Sequence, residues 1–272
     1  MVAKAHKRLT NAPVAHVLVQ TSFSPVLDIG DSIPALQAGL RALGFVKLKI
    51  GQLQQFNVQG ATPGKLDARP YWDFANADDS LSLVVGNDFV TLQTSQYEHF
   101  PSFSRALRGV LDVLARTTSL TWATRVGLRY INLIRLKGGE GYAEWLQREL
   151  LAFPFDNIHD ALTGPPQFAT QSMATTEFGT LLIRSYQLPV GQFVPPDLAV
   201  SSSLTYRTPS GAPSGSVALD IDHFTQLNEQ FEPQMIIRVA NQLHDLIKVA
   251  FRAAITDQAF EQWGPEEVVR AE

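Results

Sequence analysis

Arg125, Gly127, Arg129, Ile131, Leu133 and Arg135 stand at every second position of one extended run. In a β-strand, alternate side chains share a face and follow one another at ~6.8 Å. Two guanidinium forks then flank a bare glycine and form a shallow cationic spot whose geometry matches a carboxylate or phosphate. That pattern suits a nucleotide, a nucleic-acid backbone or an acidic partner segment. The structural alternative is that Arg125 and Arg129 pair with carboxylates on neighbouring strands and hold a sheet together. Trp122, Thr124, Val126, Leu128, Tyr130, Asn132 and Ile134 fall on the opposite face. Basic and stacking groups are therefore not interleaved, as a single-strand nucleic-acid platform would need.

Leu219-Asp220-Ile221-Asp222-His223 supplies two carboxylates on one strand face, with Ala218 and Phe224. Asp220 and Asp222 are weak candidates for an Mg²⁺ or Mn²⁺ site through oxygen ligands. His223 points to the other face, and a cross-strand match of these acids to the arginine face is more economical. Gln96-Tyr97-Glu98-His99-Phe100-Pro101 lies where a strand gives way to a helix. His99 beside Glu98 could act in acid–base chemistry. The structural reading is a corner in which Tyr97 and Phe100 pack. The remaining histidines (His6, His16, His159, His223, His244) are scattered, with no His-Glu-x-x-His spacing. A phosphate-binding Gly-x-x-x-x-Gly-Lys-Ser/Thr loop, a Gly-x-Gly-x-x-Gly turn and a Gly-x-Ser-x-Gly elbow are all missing from the sequence. The candidate ligand-binding set is thus Arg125, Arg129, Tyr130, Asn132, Tyr97 and His99. No catalytic set and no cofactor are expected.

The 272 residues contain 45% hydrophobic and 18% charged residues, enough apolar mass for one large domain or two small ones. Lys+Arg 22 against Asp+Glu 26 gives −4, which argues against coating a polyanion. Arg105, Arg108, Arg116, Lys4, Lys7 and Arg8 could still form a local basic patch. Cysteine is absent, which removes disulfides, thiolate nucleophiles and Cys-bearing zinc sites. No apolar run has the length of a signal peptide or membrane helix, so a cytoplasmic protein without membrane contact is expected.

Periodicity places these residues on elements. Strands are expected over Val14–Phe23, Val46–Phe56, Tyr71–Ala75, Leu81–Val85, Phe89–Thr94, Ser119–Leu136, Gln167–Met173, Thr180–Leu188, Leu204–Arg207 and Ser216–Thr225. Gly86-Asn87-Asp88 reads as a tight hairpin using positive φ. Apolar spacing predicts helices from Asp31-Ser32 to Gly44, from Pro101-Ser102 to Arg116, over Tyr142–Phe153 and over Gln234–Thr256. Gly60–Pro70 and Pro189–Pro196 read as loops, Pro209–Gly215 as a link, and the residues after Pro265 as a frayed end. The order is α+β: a mainly antiparallel curved sheet with helices packed on one face. Residues 1–137 and 138–272 read as two split β-α-β-like halves, in one continuous sheet or as two small domains meeting near Gly138-Gly139.

Arg125-Val126-Gly127-Leu128-Arg129-Tyr130-Ile131-Asn132-Leu133-Ile134, taken with Gln93-Thr94-Ser95-Gln96-Tyr97 and Phe103, resembles a family of sporadically distributed bacterial proteins of about this length with no established activity. The resemblance centres on residues 80–136 and carries the Arg-Tyr-Ile-Asn strand. It lends no catalytic residues, and its patchy distribution implies an accessory gene such as a phage-defence or toxin–antitoxin component. The expected function is a non-catalytic recognition protein for a partner protein or an anionic ligand. The alternatives are a metal-dependent enzyme acting on phosphates and a nucleic-acid-binding accessory factor using Arg105, Arg108, Arg125 and Arg129. A curved antiparallel sheet leaves an edge or face to cover, so a homodimer is also an expectation.

Overall fold

In a computed structural model of the chain, the described residues are 7–56, 66–136, 141–151, 153, 161, 163, 167–189, 191–199, 204–206 and 216–267. Among them the chain runs β1 (Lys7–Leu9), β2 (Val14–Phe23), α1 (Ile29–Arg41), β3 (Phe45–Phe56), β4 (Leu66–Asn76), β5 (Leu81–Val85), β6 (Phe89–Thr94), α2 (Phe100–Thr117) and β7 (Trp122–Ile134). It continues through β8 (Ala169–Thr176), β9 (Gly179–Leu188), α3 (Pro196–Ala199), β10 (Ser216–Gln230), α4 (Pro233–Ala254), α5 (Asp257–Gln262) and β11 (Pro265–Glu267). Nine strands form one curved, unclosed antiparallel sheet in the order β3-β4-β5-β6-β2-β7-β10-β9-β8. The fold is α+β, as the alternation and hairpin signals imply. β7, from the first half of the chain, pairs with β10, from the second.

One face of the sheet is apolar because every second residue of the central strands is. Val17, Val19 and Phe23 of β2, Val126 and Leu128 of β7, and Leu219 and Ile221 of β10 are buried there. The stripes of α1 (Ile29, Ile33, Leu36, Leu40), α2 (Phe103, Leu107, Val110, Leu111, Leu114) and α4 (Ile236, Ala240, Leu243, Ile247) cover them in one core cluster. The other face carries the polar alternates. There Ile131, Leu133, Leu188 and Ala218 form a small second cluster, against which Phe193 and Leu198 pack. The single turn α3 is thus on the face opposite the long helices.

Several local expectations are corrected. Residues 142–153 are not a helix: two three-residue 3₁₀ turns, Tyr142–Glu144 and Arg148–Leu150, occupy the described part. Residues 66–70 belong to β4 instead of a loop, while 60–65 lie outside the described residues. Residues 204–206 have no strand pairing, and 207–215, which hold the expected link, lie outside the described residues, as do Gly138-Gly139. Residues 265–267 are paired and not frayed, while 268–272 lie outside the described residues. Lys7–Leu9 pairs with Pro265–Glu267 in a two-stranded sheet that the sequence pattern did not reveal. The β5–β6 hairpin forms where expected, yet neither Gly86 nor Asn87 has a positive φ. Among the described residues no helix is long and apolar enough to cross a membrane.

The outer pair β8–β9 turns at Gly179, which has φ +131°, and a Cβ there would stand 2.1 Å from the Phe224 carbonyl oxygen. Both the backbone region and the backbone clash exclude a side chain. Gly179→Ala should lower unfolding stability by about 1–3 kcal/mol, read from the urea midpoint. An unchanged midpoint would show that this turn relaxes freely.

Candidate functional site

The six residues singled out as ligand-binding separate into two places, one on each face of β7. Arg125 and Arg129 are on the helix-free face. Tyr130 and Asn132, with Tyr97 and His99, are on the helix-covered face.

On the helix-free face, Arg129 is almost fully buried. Its Nε and Nη2 donate to the two oxygens of Asp220 at 2.9 and 2.7 Å, a bidentate fork, and its Nη1 donates to Asp197 of α3 at 2.6 Å. Burial alone would lower its pKa, but the bonds and charge of Asp220 and Asp197 raise it above the ordinary arginine value. Asp220 has no exposed surface and also meets Tyr186 Oη at 3.1 Å and Arg184 Nε at 3.3 Å. The cross-strand match of acids to arginines is therefore real, but diagonal. The Cα partner of Arg129 is Asp222, while its fork closes on Asp220. Asp220 is enclosed by cationic and hydroxyl donors, and no group of three His, Asp or Glu suited to a metal ion occurs among the described residues.

Arg125 differs. Its Nη1 donates to the neutral Gln20 Oε1 at 3.3 Å, and its guanidinium lies 4.3 Å over the Phe224 ring. Gly127 is the Cα partner of Phe224. A Cβ at Gly127 would stand 2.9–3.1 Å from the guanidinium atoms, so the bare backbone is what lets the group lie flat across the strand. Among the described residues Arg125 makes no ion pair. Burial lowers its pKa, Asp222 draws it up, and Arg129 pushes it down. Asp222 is itself held above the usual carboxylate range, by burial first, although Arg125, Arg129 and Arg184 pull the other way. Asp222 forms an ion pair with Arg184 Nη2 at 3.7 Å. Arg125, Arg129, Asp197 and Asp222 line a cleft of about 320 Å³, with Leu18, Leu53, Phe89 and Leu198 as its apolar wall and Gln20, Thr91 and Gln93 as neutral polar lining.

Beyond α3 on this face, His16 is fully buried. Its Nδ1 is 2.9 Å from Tyr206 Oη, and its Nε2 has no partner among the described residues. Burial, helped by the charge of Arg129, lowers its pKa to about 3.

On the helix-covered face, Tyr130 Oη is 3.1 Å from Tyr97 Oη and 3.0 Å from His244 Nδ1. Phe100 stacks on His244, with centroids 3.9 Å apart. Burial raises the Tyr130 pKa well above the ordinary phenol value, with Tyr97 adding to it. Burial, then Lys248, lowers His244 to about 4. His99 is the N-cap of α2: its Nδ1 accepts from Ser102 N at 3.0 Å, so the helix begins at Phe100. Asn132 Nδ2 donates to the Leu219 carbonyl at 3.1 Å. Tyr97, His99, Tyr130 and Asn132 line a largely apolar cavity of about 480 Å³ with Phe100, Ile221, Ile247 and Phe251, and Glu98 and Lys248 also line it. His244 escaped the sequence reading because it lies beside Leu243 in the apolar stripe of α4, where a histidine reads as packing. His223 does face away from Asp222: its Nε2 meets Thr176 Oγ1 and its Nδ1 the Leu243 carbonyl.

The chain is thus an α+β protein built on one two-faced sheet, with an ionic cleft on one face and an apolar cavity on the other. Comparison with protein-family models, with curated proteins and with solved structures finds no match.

Two outcomes follow. Arg129→Met strands a buried carboxylate, so it should cost about 3–5 kcal/mol, whereas Arg129→Met with Asp220→Leu should cost less than the sum of the single changes. Additive losses in urea titrations would dissolve the coupling. For His16, a folded pKa of about 3 lies below the unfolded value near 6.5. The unfolded chain alone takes the proton between these limits, so its contribution is intact above pH ~6.5 and is lost as pH falls, by at most ~1.4 kcal/mol per pH unit. His16→Asn should flatten that slope between pH 6.5 and 4. A slope identical to that of the wild type would mean that His16 is protonated in the fold.

Proposed function

We propose that the protein is a non-catalytic recognition protein whose helix-free cleft takes an anionic group, a carboxylate or phosphate carried on a small apolar body. One observation supports this most: Arg125 is laid flat over Gly127 and Phe224, holds only a neutral amide, and opens to the cleft. A partly desolvated guanidinium without a contact carboxylate gains most from an incoming anion. Its neighbours on the same face, Arg129 and Arg184, already lie against acids. The wall of Leu18, Leu53, Phe89 and Leu198 favours an anion with an apolar portion, and the volume lies within the ~300–1,000 Å³ of small-ligand sites. An acidic side chain of a partner protein offers the same group, which is how a role as an accessory component in a bacterial cytoplasm would be served. The open edge of β8, whose residues are nearly all exposed, is where a second copy would extend the sheet.

Isothermal titration with benzoate, phenyl phosphate and benzamide tests the reading. Benzoate and phenyl phosphate should bind, benzamide should not, and Arg125→Gln should weaken binding by about 10- to 100-fold, as the loss of a charge-assisted bond of ~1.5–3 kcal/mol implies. Arg125→Lys should fall between the two. A glutamate-rich peptide that binds in place of benzoate, again through Arg125, would identify a partner segment as the carrier. Binding by Arg125→Gln equal to wild type would remove Arg125 from the role.

A further inference from the structure

A third cavity, of about 670 Å³, lies where β7 runs out at Ile134. The start of β2 (Val14, Ala15), the residues that follow β6 (Ser95, Gln96, Tyr97, Glu98) and the end of β7 (Leu133, Arg135) line it, and antiparallel pairing brings all three to one end of the sheet. Phe193 and Tyr206 also line it. Their rings lie within 1° of parallel with centroids 5.6 Å apart, so they form one aromatic panel. The volume is within the ~300–1,000 Å³ of small-ligand sites.

The charged groups of this lining are one acid and one base, Glu98 and Arg135. Among the described residues neither makes an ion pair or a side-chain hydrogen bond, with the other or with a third group. Each is placed by something uncharged. The Arg135 guanidinium lies 5.7 Å from the Phe193 ring centroid, and burial lowers its pKa. Glu98 directly precedes His99, whose ring accepts from Ser102 N and fixes the start of α2. The two serine hydroxyls are engaged within the chain: Ser80 Oγ donates to Asp78 Oδ1 at 2.9 Å and Ser95 Oγ to the Thr205 carbonyl at 2.8 Å. Opposite charges that line one space without meeting suit a guest that bears both. Each would then gain a charge-assisted bond, whereas a singly charged guest satisfies only one.

We infer that this cavity is a second binding site, apart from the anionic cleft, for a free aromatic amino acid, its carboxylate on Arg135, its ammonium on Glu98 and its ring against the Phe193–Tyr206 panel. The planar guanidinium fork matches a carboxylate, and rings already stacked on one another offer a guest ring a rigid face. Glu98 stands on a border: it lines the apolar cavity on the helix-covered face as well, with Ala12, Val14 and Tyr97 common to both spaces. The cation on that side, Lys248, already lies 3.4 Å from Asp245, so the carboxylate goes to Arg135. Arg125 is ten positions back along the chain, roughly 30 Å at the rise of a strand, so one small guest cannot reach both arginines.

Titration calorimetry on the full chain carrying Arg125→Gln, which removes the charge of the other cleft, tests this. L-Phenylalanine should bind at one site. N-Acetylphenylalanine, which lacks the ammonium, phenylalaninamide, which lacks the carboxylate, and alanine, which lacks the ring, should each bind about tenfold more weakly. Adding Glu98→Gln should bring phenylalanine down to the level of its N-acetyl form, adding Arg135→Gln should bring it to the level of the amide, and adding Lys248→Gln should change nothing. Failure of phenylalanine to bind would overturn the proposal, as would N-acetylphenylalanine or alanine binding as tightly as phenylalanine. Loss of binding through Lys248→Gln would also overturn it and give the guest to the apolar cavity. In the chain that keeps Arg125, Arg135→Gln should leave benzoate binding unchanged, so the fates of the two sites are read separately.

Discussion

Asp220 is a carboxylate with no water around it, in the middle of a sheet between two other strands. Such a group is tolerated only where cations and hydroxyls replace its hydration. Arg129 from β7 supplies the fork, Tyr186 and Arg184 from β9 close the other side, and Asp197 brings α3 onto the same guanidinium. The net stabilisation of a buried pair is small, but its demand on register is large. A slip of one residue between β7 and β10 would turn Arg129 into the helix-side core and leave Asp220 without its fork. The alignment of every other side chain on these strands follows from that pairing.

Given this register, the sheet separates two kinds of environment. Its helix-free face concentrates charge: Arg125, Arg129 and Arg184 against Asp197, Asp220 and Asp222. The reach of that field is visible at His16, where Arg129 adds to the effect of burial. On its helix-covered face burial is the main cause that keeps Tyr130 and His244 neutral, with Tyr97 adding to the first and Lys248 to the second. Residues adjacent in sequence, Arg129 and Tyr130, thus serve opposite solvents, because strand side chains alternate.

That alternation was the legible part. Which residues of 122–135 share a face, which of 217–224 do, the β5–β6 hairpin and the three long helices all follow from period-two and period-3.6 spacing in the sequence. Pairing partners do not. Nothing in the order of residues says that β10 lies beside β7, so the ownership of Asp220 by Arg129, and the stacking of Arg125 on Phe224, were open. The grouping of Tyr97, His99, Tyr130 and Asn132 came from proximity to a junction and a strand. Its completion by His244, more than a hundred positions away, depends on how α4 crosses β7. Segments without period were read worst. Residues 142–153 have helical composition but are held by tertiary bonds, such as Gln147 N to the Ala254 carbonyl and Thr256 Oγ1 to the Glu144 carbonyl, that favour short 3₁₀ turns. The β1–β11 pair joins the two ends of the described chain, a contact of maximal sequence separation that no local signal encodes.

Arg125 and Arg129 show how one strand can hold the same residue type in two different ways. Both face the same way, four residues apart, and burial opposes the charge of both. Arg129 has an acid within reach on the next strand and Asp197 of α3 against its other nitrogen, so its charge is spent inside the fold. At Arg125 the cross-strand partners are Gln226 and Ser22, and the phenylalanine it lies over, Phe224, is diagonal to it and opposite the intervening Gly127. The guanidinium therefore finds an aromatic face below and bare backbone beside it, which hold its plane without neutralising it. Orientation by a ring leaves the guanidinium without a contact carboxylate, although the charge of Asp222 in the same cleft acts on it. The placement of Gly127 and Phe224 is accordingly what separates a guanidinium held by a ring from one braced by acids on this strand.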